Sequence, residues 1–272
     1  MSPDEPRRLH GRRRLRIGRL WVDAVTFADA LHEIERLVDR GQGGAVYTPN
    51  VDHVVKAESN LAFRKAYDQV NLSLADGMPL VWVGRLLGCR LPERVAGSDL
   101  LTPLMKLAAQ RRWRVYLLGG APGSAEAAAR VLTDEHGVIV AGWDDCRIAM
   151  DGSDAADGDS SARARAAAPD LILVGLGPPK QELWIHRSAA VVRPAVALGI
   201  GAGLDFFAGR HKRAPRWMAH SGLEWAFRLL QEPRRLWRRY LVESPRFVLV
   251  VLATWMSPRA GRVQDLPPTM EM

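Results

Sequence analysis

The chain has little cysteine: Cys89 and Cys146 are the only two in 272 residues, with no Cys-x-x-Cys or Cys/His ligand spacing. That excludes a disulfide framework and a zinc site, and fits a reducing cytoplasm. Long apolar runs are also missing, the longest covering 247–255. This is about half of the ~20 residues that a membrane-spanning helix requires, so no bilayer span is expected. Arg7, Arg8 and Arg12 to Arg14 open the chain, but the residues after them alternate charged with apolar side chains and lack the apolar core of a secretion signal. No internal repeat is present, and neither is the terminal Lys-Ser/Thr of a P-loop.

The composition is that of an ordinary globular protein, 47% hydrophobic and 25% charged, with a formal charge of +8. Such a surface attracts anions, and nucleic acid, anionic lipid and phosphorylated substrates all qualify. From 45 to 200 short β-rich runs alternate with longer helical stretches, the pattern of an α/β fold with a mainly parallel sheet flanked by helices. The expected strands are 45–48, 71–74, 114–118, 138–141, 171–175 and 195–200. Ser98 and Ser124 are expected to cap the helices that follow them, and 151–161 reads as a polar loop. After 209 the strand pattern stops and Arg, Trp and Leu dominate, with Pro233 expected to divide the segment into two short amphipathic helices. The organisation expected is a flexible basic leader at 1–14, a core at 15–209, a basic helical appendage at 210–256 and a tail at 257–272.

Ligands of open α/β sheets bind at the carboxyl ends of strands, so the polar residues there are the candidates for function. Thr48 and Asn50 end the first run and offer a hydroxyl and an amide, although on spacing Asn50 serves equally as a helix cap. Asp76-Gly77 would in isolation be a turn, but a strand precedes it and a helix comes after it. A carboxylate at that junction points into the cleft and can act as the general base of an inverting sugar transfer. No second acid in obvious proximity suggests a retaining mechanism. Gly119 and Gly120 open a strand-to-helix loop that could seat a phosphate, or be a plain tight turn. Gly177, Lys180 and Gln181 lie in a segment where backbone approach is close and donors gather at a helix start. Asp157-Gly158-Asp159 matches a metal-binding Asp-x-Asp, but in a low-complexity loop where chance matches are easy. Gly199 to Gly203 has the wrong spacing for a nicotinamide fingerprint.

Arg213, Arg216, Arg228, Arg234, Arg235, Arg238 and Arg239 interleave with Trp217, Trp225 and Trp237. Short helices of this composition suit an anionic membrane interface, and arginine forks also suit a departing diphosphate. A basic nucleic-acid-binding α/β module is the alternative, though no recognition-helix, RRM or KH pattern is present.

In their order along the chain, Thr48-Pro49-Asn50, Leu74-Ala75-Asp76-Gly77, Glu93-Arg94-Val95-Ala96-Gly97-Ser98-Asp99, the run from Gly175 to Glu182, the run from Gly199 to Asp205, Arg213-Ala214-Pro215, and Leu223-Glu224-Trp225 with Arg228 resemble the WecG/TagA/CpsF family of bacterial glycosyltransferases. The resemblance spans roughly 15–245. It implies a Rossmann-like fold and an inverting, metal-independent transfer without cofactor, in surface polysaccharide biosynthesis. The donor implied is a UDP-sugar of N-acetylmannosamine, its uronic acid, or glucose type, and the acceptor a polyprenyl-diphosphate-linked glycan. Asp76 matches the base, Thr48, Asn50, Arg94 and Gln181 match substrate contacts, and Arg228, Arg235 and Arg238 match the appendage arginines. The implied location is the inner face of the bacterial plasma membrane, as a peripheral protein, with room for a homo-oligomer and no nucleic-acid partner. The Arg-rich leader and the loop at 151–159 depart from the family pattern.

Overall fold

The structure is a computed structural model, and it describes residues 12–154, 159–210, 218, 224–231, 233–237, 245–258 and 262–266. In chain order the elements are β1 (Arg13–Ile17), β2 (Leu20–Asp23), α1 (Phe27–Asp39), β3 (Gly44–Tyr47), α2 (Val51–Ser59), α3 (Leu61–Asp68), β4 (Leu72–Ser73), α4 (Met78–Leu86), α5 (Gly97–Arg111), β5 (Arg114–Gly119) and α6 (Ser124–Asp134). They continue with β6 (Ile139–Asp144), α7 (Ser160–Ala166), β7 (Leu171–Gly175), α8 (Lys180–Ser188), β8 (Val196–Gly199), α9 (Gly203–Phe207), α10 (Glu224–Gln231), α11 (Pro233–Trp237), α12 (Arg246–Met256) and β9 (Val263–Asp265).

Six strands form one sheet in the order β4-β3-β8-β7-β5-β6, every described pairing parallel. Each expected strand is found in it within a few residues at either end. Except at the edge strand β6, both faces are buried, which is why these strands read as nearly continuous apolar runs. Val115, Leu117, Leu171 and Leu173 face a core with α1, α5 and α6, while Tyr116, Leu118, Ile172 and Val174 face the core with α2, α3, α4 and α8. Full burial of each such side chain contributes about 1.5–3 kcal/mol. The segment after β3 runs to one face and that after β8 to the other, so these neighbouring strands leave a crevice at their carboxyl ends.

Several local expectations need correction. Ser98 lies inside α5, which starts after Ala96, and Ser124 is the first residue of α6, behind Gly123; neither caps by its side chain. The stretch after Asn50 is two helices, divided where Asn60 caps α3. Pro233 opens α11 two residues after α10 ends, as expected from its missing N–H.

Within the leader and tail, the described residues 12–14 and 262–266 also differ from expectation. Arg13 and Arg14 belong to β1, which pairs antiparallel with β2 and with β9, making a second, three-stranded sheet from both ends of the chain. Arg14 Nε donates to Asp23 Oδ1 at 2.7 Å, and Asp23 Oδ2 accepts from the Ser73 N–H at 2.7 Å, which ties this sheet to β4. α12 buries Phe247 and Val251 in the core shared with α2 and β1. The core therefore includes chain beyond 209, and α12 and β9 are part of it.

Candidate active site

The site is assembled where β3, β4, β7 and β8 end. β3 leads through Thr48 and Pro49 to Asn50, the N-cap of α2, whose Oδ1 accepts from the Asp52 N–H at 3.1 Å. The cap reading of Asn50 is thus correct for its carbonyl oxygen. Asp76 comes just after β4, and its N–H donates to the Pro49 carbonyl at 2.9 Å. At Gly77 φ is +138°, a conformation that L side chains rarely adopt, and it turns the chain from Asp76 into α4.

Arg94 Nη1 lies 3.9 Å from Asp76 Oδ1, and Arg94 Nη2 is bound to Asp99 Oδ2. The arginine side chain is 10% exposed, the Asp76 side chain 26%, so the carboxylate opens to solvent while its partner is enclosed. Enclosed and paired, Arg94 is not a solvated arginine, and a second acid, Asp99, shares it with Asp76, where no second acid in obvious proximity was expected. Asp99 sits in α5, whose start is placed by the Val95 N–H donating to the Ala75 carbonyl at 2.9 Å.

Thr48 and Gln181, expected as substrate contacts, spend hydrogen bonds on the fold. The Thr48 hydroxyl donates to the Gly199 carbonyl at 3.1 Å, linking β3 to β8. Gln181 is 1% exposed, its Oε1 accepting from the Gly201 N–H at 3.0 Å and its Nε2 donating to Glu182 Oε1 at 2.6 Å. Burial is the physical reason: an amide this enclosed must be paired internally. Glu182 Oε1 also stands 3.2 Å from His53 Nε2, a buried pair not singled out from the sequence. Tyr47 donates to the Glu182 carbonyl at 3.1 Å. Burial first, and Glu182 second, hold the phenols of Tyr47 and Tyr67 well above their ordinary range, so both remain protonated.

The phosphate-seat reading of Gly119 and Gly120 meets an electrostatic objection. The Gly120 N–H donates to the Gly175 carbonyl at 2.8 Å, the Ala121 N–H to Asp205 Oδ1 at 2.9 Å, and the Gly123 N–H to Asp145 Oδ2 at 2.8 Å. Two carboxylates already take the loop's amides, and they would repel a phosphate. The tight-turn reading fits better: a Cβ on Gly120 would stand 2.9 Å from the Ser124 Cβ. Gly177, by contrast, has nothing within 4 Å of where a Cβ would be, so the chain there borders open space.

Asp157 and Arg238 lie outside the described residues; Arg228 and Arg235 fall in α10 and α11, with no description of their side chains. Asp159 accepts from the Ala162 N–H at 2.8 Å as the N-cap of α7, which gives the second acid of the Asp-x-Asp a structural role. Among the described residues no group of three or more His, Cys, Asp or Glu could hold a metal ion. Among them, too, no helix is long and apolar enough to cross a membrane.

The chain is 35% identical over 250 residues to the N-acetylglucosaminyldiphosphoundecaprenol N-acetyl-beta-D-mannosaminyltransferase of Bacillus spizizenii strain W23, covering 90% of this chain and 94% of the relative. It is 31% identical over 230 residues to the protein of the same description from Bacillus subtilis strain 168, covering 84% and 86%. Both names speak of sugar transfer and not of nucleic-acid binding. Residues 15–261 match the family model described as glycosyl transferase WecG/TagA/CpsF family. With this match over most of its length, the chain belongs to the WecG/TagA/CpsF family of glycosyltransferases.

Proposed function

We propose that this enzyme transfers an N-acetylmannosamine-type sugar from a UDP-sugar, with inversion and without a metal, to a sugar carried on a polyprenyl diphosphate. Asp76 is the general base. It takes the proton of the acceptor hydroxyl as that oxygen bonds to the anomeric carbon, and the bond from that carbon to the diphosphate breaks, UDP leaving with the electron pair. The observation that carries this reading is the partly exposed Asp76 carboxylate at the end of β4, facing the enclosed Arg94. Asp99 is engaged with Arg94, which favours single displacement over a double displacement needing a second, nucleophilic carboxylate. The names of the two relatives support the sugar and the acceptor.

The arginine-rich stretch after 209 supplies cations for the departing diphosphate, with Arg228, Arg235 and Arg238 as the implied residues. We place the enzyme at the inner face of the plasma membrane, held peripherally. Exposed Trp225, Leu230 and Trp237 support this, as do Val248, Leu249, Leu252, Trp255 and Met256, which form one exposed face of α12.

The test is a screen of UDP-sugars of N-acetylmannosamine, its uronic acid and glucose against N-acetylglucosamine on a polyprenyl diphosphate, read by product mass. The expected product gains one N-acetylhexosamine. Transfer of glucose or of the uronic acid in preference would reassign the donor, and no transfer from any of them would contradict the reading.

A further inference from the structure

A set of hydrogen bonds joins the ends of β3, β7 and β8 and extends to Asp76 after β4. Thr48 is tied to Gly199, the Gly201 N–H to Gln181, Gln181 to Glu182, Glu182 to His53, and the Asn50 N–H to His53 Nδ1. The Asp76 N–H then rests on the Pro49 carbonyl, one residue before Asn50. Within this set His53 and Glu182 stand out as ionisable side chains only 3% and 0% exposed. Glu182 Oε2 has no hydrogen-bond partner among the described residues. A buried carboxylate left half-satisfied weakens a fold more than a well-packed apolar side chain of similar size would. Stability alone therefore does not account for this pair.

We infer that His53 and Glu182 are positioning residues, a buried pair that sets the orientation of Asn50 and, through the Pro49 carbonyl, of the Asp76 loop. The chemistry of the contacts fixes the imidazole. A carboxylate oxygen only accepts, so Nε2, at 3.2 Å from Glu182 Oε1, carries a hydrogen. Nδ1 is then left to accept and takes the Asn50 N–H at 3.3 Å, while Asn50 Oδ1 accepts from the Asp52 N–H. Glu182 thus holds the ring in one orientation, and the ring presents Nδ1 to the residue that caps α2. Gln181 Nε2 donates to the same Oε1, fixing the carboxylate from the β8 side. The Phe63 ring, 5.9 Å from the imidazole, packs against it. Neither residue touches the cleft in this arrangement; each acts through Asn50.

The inference rests on the proposed sugar transfer, and the experiment separates the two. Wild-type turnover reports on the transfer, and the ratio of variant to wild type reports on the pair. Glu182→Gln and His53→Phe are expected to lower kcat about 10- to 100-fold, the usual effect of removing a group that orients a functional residue. KM for the UDP-sugar should stay within about twofold, because neither side chain binds it. His53→Gln, which keeps a donor and an acceptor, should recover part of the loss. Nitrogen-15 correlation spectra of the wild-type imidazole give a readout independent of activity and of any variant's folding: Nε2 is expected to carry the hydrogen, and in folded Glu182→Gln its signal should move. An imidazole protonated at Nδ1 alone would overturn the inference. So would folded variants with unchanged kcat, or losses shared equally between kcat and KM.

Discussion

Arg94 stands between two acids, 3.9 Å from Asp76 on one side and bound to Asp99 on the other, with only a tenth of its side chain exposed. The arrangement gives the proposed base a fixed electrostatic neighbour while leaving its carboxylate open. Asp99 holds the guanidinium through its other nitrogen.

A lysine cannot reproduce that fork, since it offers a single point charge where the guanidinium spans two partners. Arg94→Lys is expected to lower kcat/KM on the order of 10²-fold through misplacement of Asp76. Asp99→Asn should cost less, because it weakens only the outer contact. Steady-state kinetics on both variants check the order, and an Asp99→Asn defect larger than that of Arg94→Lys would contradict it.

Gly77 sets the direction in which Asp76 points. A Cβ there would meet nothing closer than Pro79 Cδ at 3.6 Å, so space permits alanine while φ of +138° disfavours it. Gly77→Ala is expected to cost about 1–3 kcal/mol of stability or, if the loop relaxes, to lose most of its turnover. Chemical denaturation and turnover measured together distinguish the two, and a variant unchanged in both would contradict the argument.

The exposed face of α12 yields a separate prediction. Leu249 and Leu252 are 67% and 49% exposed, so replacing both with Glu should leave thermal stability nearly unchanged. Co-sedimentation with anionic vesicles should fall several-fold, because apolar insertion is lost and negative charge is added. Deleting everything beyond Arg213 is a poorer test, since it also strips α12 from the core and β9 from β1.

The cysteines provide a pH-dependent check on the packing. Burial, and then Asp144, push the Cys146 thiol up to about 12, and burial raises Cys89 as well. A raised thiol pKa means that the reactive thiolate forms only at higher pH. At pH 8 the thiolate fraction of Cys146 is on the order of one in 10⁴. Alkylation of the native protein at pH 8 is therefore expected to be slow, speeding up as pH rises and becoming fast in denaturant. Rapid labelling of native Cys146 at pH 8 would contradict this.

The parallel sheet was legible because its strands are short apolar runs bounded by turn residues and, β6 apart, buried on both faces. The antiparallel sheet was not. Its pairing of Leu15 with Val263 joins residues nearly a whole chain apart, and short runs flanked by arginines carry no local sign of such a partner. Ser98 and Ser124 misled because a serine near a helix start resembles a cap, while the chain enters those helices through Ala96 and Gly123. At the site, the Asp76 junction was readable from the strand and helix on either side. Arg94 was named through the resemblance and not from local pattern, since its partner Asp99 acquires meaning only when α5 starts beside Asp76. His53 and Glu182 gave a faint signal: Glu182 leads directly into Leu183, Trp184 and Ile185, all buried, so a carboxylate there had to be enclosed.

The proposed reaction turns on Asp76. The most direct measurement is single-turnover transfer by Asp76→Asn, with UDP binding and thermal unfolding followed on the same sample. The change removes the base but keeps the shape, so transfer is expected to fall by at least about 10²-fold, with binding and stability retained. Transfer at the wild-type rate would contradict the role of Asp76 as the base.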